Sequence, residues 1–344
     1  MEMTMHPTSN IQVGEETFSL YLQARSEWNR RTPSAIRKAI RYLEKAVTLE
    51  GTFALACAAL ADCYTILMEY GVLSSREGLT QARLAAGRAL HKGPAMAEAL
   101  TSAALVRQMD LDWPAAEAEF KAAVDAHPGY ATARQRYGLF LAWMKRFDES
   151  KREMDAAGTL DPHSPAVAAS RAWLEYYRGD FPSAVRTAGR AVDLYPGFSS
   201  AEVVLGLSLI QVERASEAAA VLGNALSREE ENVSVLSLLS YARAREGALK
   251  EAETLLDRLR DWAGTRYVSP YYLAVPMEGL GLKADTMRAL EAAERERSPQ
   301  LAYLASEPIF DPLRTQPEFQ ALLNRLRLPF RPPVQLSGAQ EVVA

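Results

Sequence analysis

Only two cysteines, Cys57 and Cys63, occur in the 344 residues. They stand six apart on one predicted helix, so neither a disulfide framework nor a Cys-x-x-Cys pair is available, and a reducing compartment fits. Histidine is scarce as well: His6, His91, His127 and His163 show no HExxH spacing and supply no metal site. GxGxxG, GxxxxGK[ST] and GxSxG are all missing, which removes the sequence basis for a nucleotide cradle or a serine-hydrolase elbow. The run Glu229-Glu230-Glu231 falls in a predicted turn and reads as a solvated charge cluster. No excess of positive charge exists either. With 39 basic against 43 acidic residues the net charge is −4, so a phosphate-neutralising surface, and with it nucleic acid as a direct partner, is not expected. Long apolar runs are lacking too: residues 53–61 and 203–210 reach about half the length of a bilayer span. No signal peptide or membrane anchor is read at the start of the chain. The expectation is a cytoplasmic, non-enzymatic protein with no cofactor.

What the chain does have is periodicity. Ala82, Ala116, Ser150, Ala184, Ala218, Ala252 and Thr286 stand thirty-four residues apart. Ala89, Ala123, Ala157, Ala191, Ala225, Leu259 and Ala293 follow them by seven. A third set, Ala104, Gly138, Ala172, Gly206, Ser240 and Ala274, has the same period. Coupled combs of this kind mark a repeat architecture. The 48% hydrophobic content is spread without a shift that would divide independent domains.

Residues 131–164 illustrate one unit. Arg134, Tyr137, Gly138 and Leu141 recur at helical spacing and predict a helix A; Phe147, Ser150, Met154 and Ala157 predict a helix B. Asp161-Pro162 closes the unit because proline cannot continue a helix. Gly138 and Ser150 let the two axes approach, with Tyr137 and Met154 filling the space beside them. Asp112-Trp113-Pro114 and Asp180-Phe181-Pro182 place an aromatic at the A/B corner and a proline in the first turn of B, where its missing N–H costs nothing. Pro94, Pro128, Pro162 and Pro196 end four successive B helices. Glu230 and Gly264 replace proline afterwards, so less sharply defined connections are expected there.

These residues resemble the tetratricopeptide repeat (TPR), through Tyr137, Gly138, Phe120, Ala123 and Pro128, and again through Leu205, Gly206, Ala218, Ala225 and Pro196. Arg107, Arg171 and Glu175 depart from the pattern, and Arg171 and Glu175, four apart, are placed to pair. The resemblance implies an all-α, right-handed superhelical solenoid of about eight antiparallel helix pairs with a C-terminal helical cap. Lengthened A/B turns are expected at Arg30 to Ser34 and at Tyr70 to Glu77. Four irregular stretches extend the likeness: YLQARSEWNRRTPSAIRKAIRYLEKAV from Tyr21, the YGVLSSRE insertion from Tyr70, Tyr267-Val268-Ser269-Pro270-Tyr271, and ERSPQLAYLASEPIFDPLRTQPEFQALL from Glu296. Together they are similar to the C-terminal repeat region of bacterial multidomain regulators, in which such a region follows a winged-helix, protein-kinase or cyclase domain. No such effector domain is expected on this chain. The boundaries that follow are a tail over 1–15, a solenoid over 16–298, a cap over 299–329 and a second tail over 330–344.

A solenoid of this type presents a concave groove built from A helices, into which a segment of another protein can lie. The expected function is therefore a protein or peptide-binding scaffold, the alternative a sensory module of a transcription or kinase system. Peptide-binding candidates on the inner face are Gln108, Gln135, Arg136, Trp143, Trp173, Tyr176 and Tyr177, since Trp and Tyr bury much area while losing few rotamers. Aromatics at this spacing also serve as core. Ile309, Phe310, Leu313, Phe319, Leu322, Leu323 and Leu326 are expected to cover the apolar flank of the last repeat, and Pro276 to kink or shorten the final A helix.

Overall fold

The computed structural model describes residues 13–329, and the two expected tails lie almost wholly outside them. Helices α1 (Glu15–Asn29) and α2 (Pro33–Leu49) form the first antiparallel pair, and α3 (Ala54–Glu69) and α4 (Ser75–Lys92) the second. Five regular pairs follow: α5 (Ala97–Met109) with α6 (Trp113–Ala126), α7 (Ala131–Trp143) with α8 (Phe147–Leu160), α9 (Pro165–Arg178) with α10 (Phe181–Leu194), α11 (Ser199–Gln211) with α12 (Ala215–Arg228), and α13 (Val233–Glu246) with α14 (Leu249–Thr265). The eighth pair is α15 (Pro270–Gly279) with α16 (Lys283–Arg295). Two 3-10 segments, Pro299–Ser306 and Pro308–Leu313, and α17 (Pro317–Arg325) complete the described chain. Odd-numbered helices from α3 to α15 stack on one another as the inner wall; their even-numbered partners lie outside. The result is an all-helical superhelical solenoid.

The three combs are the seams of this stack. Every residue of the first, from Ala82 to Thr286, has no exposed surface, and none in the second exceeds 6% exposure. Such positions must stay small because two helix backbones meet there. A Cβ on Gly138 would come within 2.9 Å of the Met154 side chain, and one on Gly206 equally close to Leu222. Where serine occupies a seam it turns its hydroxyl to a backbone carbonyl: Ser150 Oγ donates to the Gly138 oxygen and Ser240 Oγ to the Ala252 oxygen, each at 2.7 Å.

A fourth comb lies in the turns. Leu111, Lys145, Gly179, Glu213, Gly247 and Gly281, again thirty-four apart, all adopt positive φ. Each is followed by an N–H that reaches five residues back across the helix end, as in Asp112 to Arg107 and Arg146 to Leu141, the motif that satisfies the last carbonyls of a helix. On the other side, Asp112 and Asp180 cap the next helix by accepting from the Ala115 and Ser183 N–H groups.

Irregular features depart from their sequence expectations in instructive ways. The first A/B turn is Arg30 to Thr32, no longer than the regular ones, because longer helices absorb the extra residues. The second turn is lengthened, spanning Tyr70 to Ser74. With Gly264 in place of proline, α14 runs on to Thr265 and delays the start of α15 to Pro270. Pro276 does not end α15, which continues to Gly279. The carbonyl four residues before it, that of Tyr272, accepts instead from Ser237 Oγ of α13 at 2.6 Å, which removes most of the cost of the lost helical bond. Arg171 reaches Asp155 at 3.4 Å rather than Glu175.

Candidate functional site

The solenoid winds until its eighth pair meets its second. Ser269 N–H donates to the Gly71 carbonyl at 3.1 Å, and Tyr272 Oη to the Glu69 carbonyl at 2.9 Å. Gly71 has φ +70, and a Cβ there would run into the Tyr272 ring, so this closure depends on glycine. Gln300 Nε2 donates to the carbonyls of Met68 and Glu69 at 2.8 and 2.9 Å, covering the end of α3, and Ser75 Oγ donates to the Arg297 carbonyl at 2.7 Å. Thus the insertion after α3, the Tyr267 to Tyr271 stretch and the Glu296 stretch, far apart in sequence, converge on one junction.

From that junction the chain turns into the groove. Residues 299–309 lie along the inner wall: the Tyr303 ring packs against those of Trp143, Tyr177 and Tyr271 at centroid distances of 5.6, 6.0 and 5.8 Å. Ser306 Oγ donates to the Trp143 carbonyl at 3.3 Å, and Tyr176 Oη to Glu307 Oε1 at 2.5 Å. Further on, Phe310 meets Tyr271 and Phe319, α17 touches α16, and the Trp113 indole N–H donates to the Leu326 carbonyl at 3.1 Å. The terminal segment therefore does more than cover the last repeat: it occupies the interior of the superhelix from the second pair to the eighth.

This placement decides the surroundings of the seven candidates. Tyr176 has no exposed surface, and Tyr177, Trp143, Gln135 and Gln108 are also buried. Burial raises the pKa of the Tyr176, Tyr177, Tyr271 and Tyr303 phenols well above the ordinary value, with the Glu307 charge adding to the effect at each. Trp173 is partly exposed, stacks on Tyr177 at 5.3 Å and donates its indole N–H to Ser200 Oγ at 3.1 Å. Arg136 is partly exposed and lies 3.9 Å from Glu69. Gln135 Nε2 donates to Ser170 Oγ at 2.7 Å. Gln108, Gln135, Arg136, Trp143, Trp173 and Tyr177 do share one space, a cavity of about 190 Å³ left between the inner wall and the 299–309 segment. Tyr176 lies behind it in the core.

Sequence reasoning did not single out Arg31, Glu69, Tyr303 or Glu307, which also line the cavity. A signal was present: all four lie in or beside stretches that break the thirty-four-residue register, and a stretch out of register is free to pack across the stack instead of within it. Burial raises the pKa of the Glu307 carboxyl to about 7, with the Tyr176 hydroxyl and the Ile309 N–H pulling it back down. Glu69 is also raised by burial, against the lowering effect of Arg136. Among the described residues no His/Cys/Asp/Glu cluster suited to a metal is present, and no helix is long and apolar enough to cross a membrane.

A family model of the tetratricopeptide repeat matches residues 112–174 and 209–272. Those two stretches are tetratricopeptide repeats. Among solved TPR structures, one from Parabacteroides merdae superposes with a TM-score of 0.51 at 15% identity, covering 79% of this chain and all of the other. Yeast Tom70 superposes equally well, with 14% identity over 94% of this chain and 70% of its own. At these identities the likeness is one of fold. In sequence, 167 residues are 23% identical to the transcriptional regulator HilA of Salmonella typhimurium, and to that of Salmonella typhi. The match covers 48% of this chain and 30% of the regulator, so the chain spans less than a third of the length of these curated relatives.

Proposed function

We propose that this TPR chain is a non-catalytic protein-interaction module of a transcription-regulating system, with residues 299–309 holding its inner groove closed. The observation that carries the reading is the convergence of the three irregular segments. They use chain length and specific hydrogen bonds to close the superhelix and fill the groove, which an open peptide track would not require. The likeness to HilA across about half the chain supports the regulatory setting. Under this reading a protein partner meets the mouth of the groove, where Trp173 and Arg136 keep exposed surface beside Ser199, Ser200 and Val203. Trp143, Tyr176 and Tyr177 then act from behind, as the packing that sets the mouth's shape.

Quantitative affinity capture from a bacterial lysate tests this, using the wild type and Trp173→Ala, with a thermal melt to show that the variant folds. A transcription regulator enriched by the wild type and reduced at least severalfold by the variant is the expected result. Identical partner sets, or chaperones alone, would contradict the proposal.

A further inference from the structure

The cavity has a charge pattern that its own side chains do not complete. Arg31, at the turn between α1 and α2, is 8% exposed and lines the space together with Arg136. Its guanidinium lies over the Trp28 ring, 3.4 Å from the centroid. Among the described residues it has no hydrogen-bond acceptor and no carboxylate within ion-pair distance. Arg136 has one carboxylate within ion-pair distance among the described residues, Glu69, at 3.9 Å, too long for a good hydrogen bond; the buried Asp62 carboxyl also attracts both guanidinium groups but forms no ion pair with either. Gln108, 2% exposed on the same wall, has an Nε2 without a partner. The Trp143 indole N–H forms no hydrogen bond of regular geometry, though it lies close enough to the Tyr177 hydroxyl to favour the phenolate. Buried donors are normally satisfied, and Gln108 Nε2 is one here that is not; the Arg31 guanidinium has the Trp28 ring face in place of an anion.

We propose that this cavity binds a small organic monocarboxylate, with the carboxylate held by Arg31, Arg136 and Gln108 Nε2 and the apolar body resting against Trp143, Trp173 and Tyr177. The donor set suits this chemistry, since guanidinium groups recognise carboxylates with charge-assisted hydrogen bonds. Size limits the body: a dry cavity of about 150 Å³ holds benzene, so 190 Å³ takes one ring or a branched alkyl group beside the carboxylate. A peptide of several residues does not fit while residues 299–309 are in place.

The electrostatics agree. Burial, followed by the charge of Arg136, lowers the Arg31 pKa to about 10, a repulsion that an anion between the two would relieve. The opposing carboxyls, Glu69 and Glu307, both have their pKa raised by burial. This inference concerns the cavity alone and stands whether or not the chain belongs to a transcription system.

Thermal shift and titration calorimetry on the full chain supply the test. The probes are phenylacetate, 3-phenylpropionate and 4-methylpentanoate, each against its uncharged primary amide, and the peptide N-acetyl-Gly-Gly-Gly-Phe. At least one free acid is expected to raise the melting temperature at millimolar concentration and to change tryptophan fluorescence, while its amide does neither. Arg136→Met, chosen because the side chain is partly exposed, should weaken that acid about tenfold or more, consistent with loss of a charged hydrogen bond. Gln108→Leu should weaken it less, in a protein whose circular dichroism is unchanged. Equal effects from acid and amide would overturn the proposal. So would no response to any free acid, binding by the peptide alone, or undiminished affinity in a folded Arg136→Met.

Discussion

The inner and outer walls of the solenoid are made of helices of similar length and are buried very differently. In α13 eleven of fourteen residues are buried, from Val233 to Ala244; in α14 only Ala252, Leu256 and Leu259 are buried out of seventeen. An outer helix needs one apolar stripe, because it touches its partner on one side and water on the other. An inner helix is held between its partner, its neighbours in the stack and the terminal segment lying in the groove. It is therefore apolar nearly all round, and its serines survive only by donating to carbonyls, as Ser237 and Ser240 do. The difference teaches that the terminal segment belongs to the core as much as any repeat does.

Removing that segment should break the comparison most severely. A chain ending at Arg297 loses Leu301, Leu304, Ile309, Phe310, Phe319 and Leu322, none more than 1% exposed, and uncovers the inner wall they face. We expect aggregation or a large fall in melting temperature; an unchanged thermal midpoint would show the segment to be dispensable. Next in size is a pair of identical truncations on the two walls. Leu236→Ala on α13, at a site with no exposed surface, should cost about 2–5 kcal/mol. Leu194→Ala on α10, 69% exposed, should change stability by no more than about 0.5 kcal/mol. Urea unfolding of both variants measures the contrast.

The buried Glu307 carboxyl gives a pH-dependent form of the same contrast. The fold holds its pKa at about 7 against an ordinary 4.5, so the folded protein retains a proton that the unfolded chain releases. The contribution is most favourable below about 4.5 and is lost as pH rises towards 7. The deficit at pH 8 is at most about 3 kcal/mol. Glu307→Gln keeps an acceptor for Tyr176 and should flatten this slope, gaining stability over the wild type at pH 8 but not near pH 4.5 in denaturant titrations. Parallel slopes would place Glu307 in a wetter site. Ala184→Leu overpacks one seam between α9 and α10 at a cost of about 1–3 kcal/mol; full tolerance would mean that the seam is misassigned.

Much of the fold was legible because stacking repeats a constraint. Each seam must be small, so Ala116, Ala184 and Ala252 announce the helix pairs and their crossings without any knowledge of the rest. The turn comb was legible only in part: Gly179, Gly247 and Gly281 carry the signal, but Leu111, Lys145 and Glu213 adopt the same backbone without a residue type that betrays it. Superhelical closure was not legible, since it joins Gly71 to Ser269 and Gln300 to Met68 across some two hundred residues, where no local period reports a contact. For the same reason the inner aromatics could be named from their register, while the Tyr303 and Glu307 side chains that meet them lay in a stretch with no register to read. Arg31 was hidden differently: it looks like an ordinary turn cation, yet the fold buries it at the cavity with no carboxylate within ion-pair distance among the described residues.

Closure is the central claim, and its most direct test is the separation of the two edges that it brings together. Arg76 and Arg295 are exposed and border one cleft at the junction. Spin labels at these two positions, with Cys57 and Cys63 replaced by alanine, can be measured by pulsed electron double resonance on the full chain in solution. A single short and narrow distance distribution is the predicted result. A broad distribution extending to the long separations of an open solenoid would contradict it.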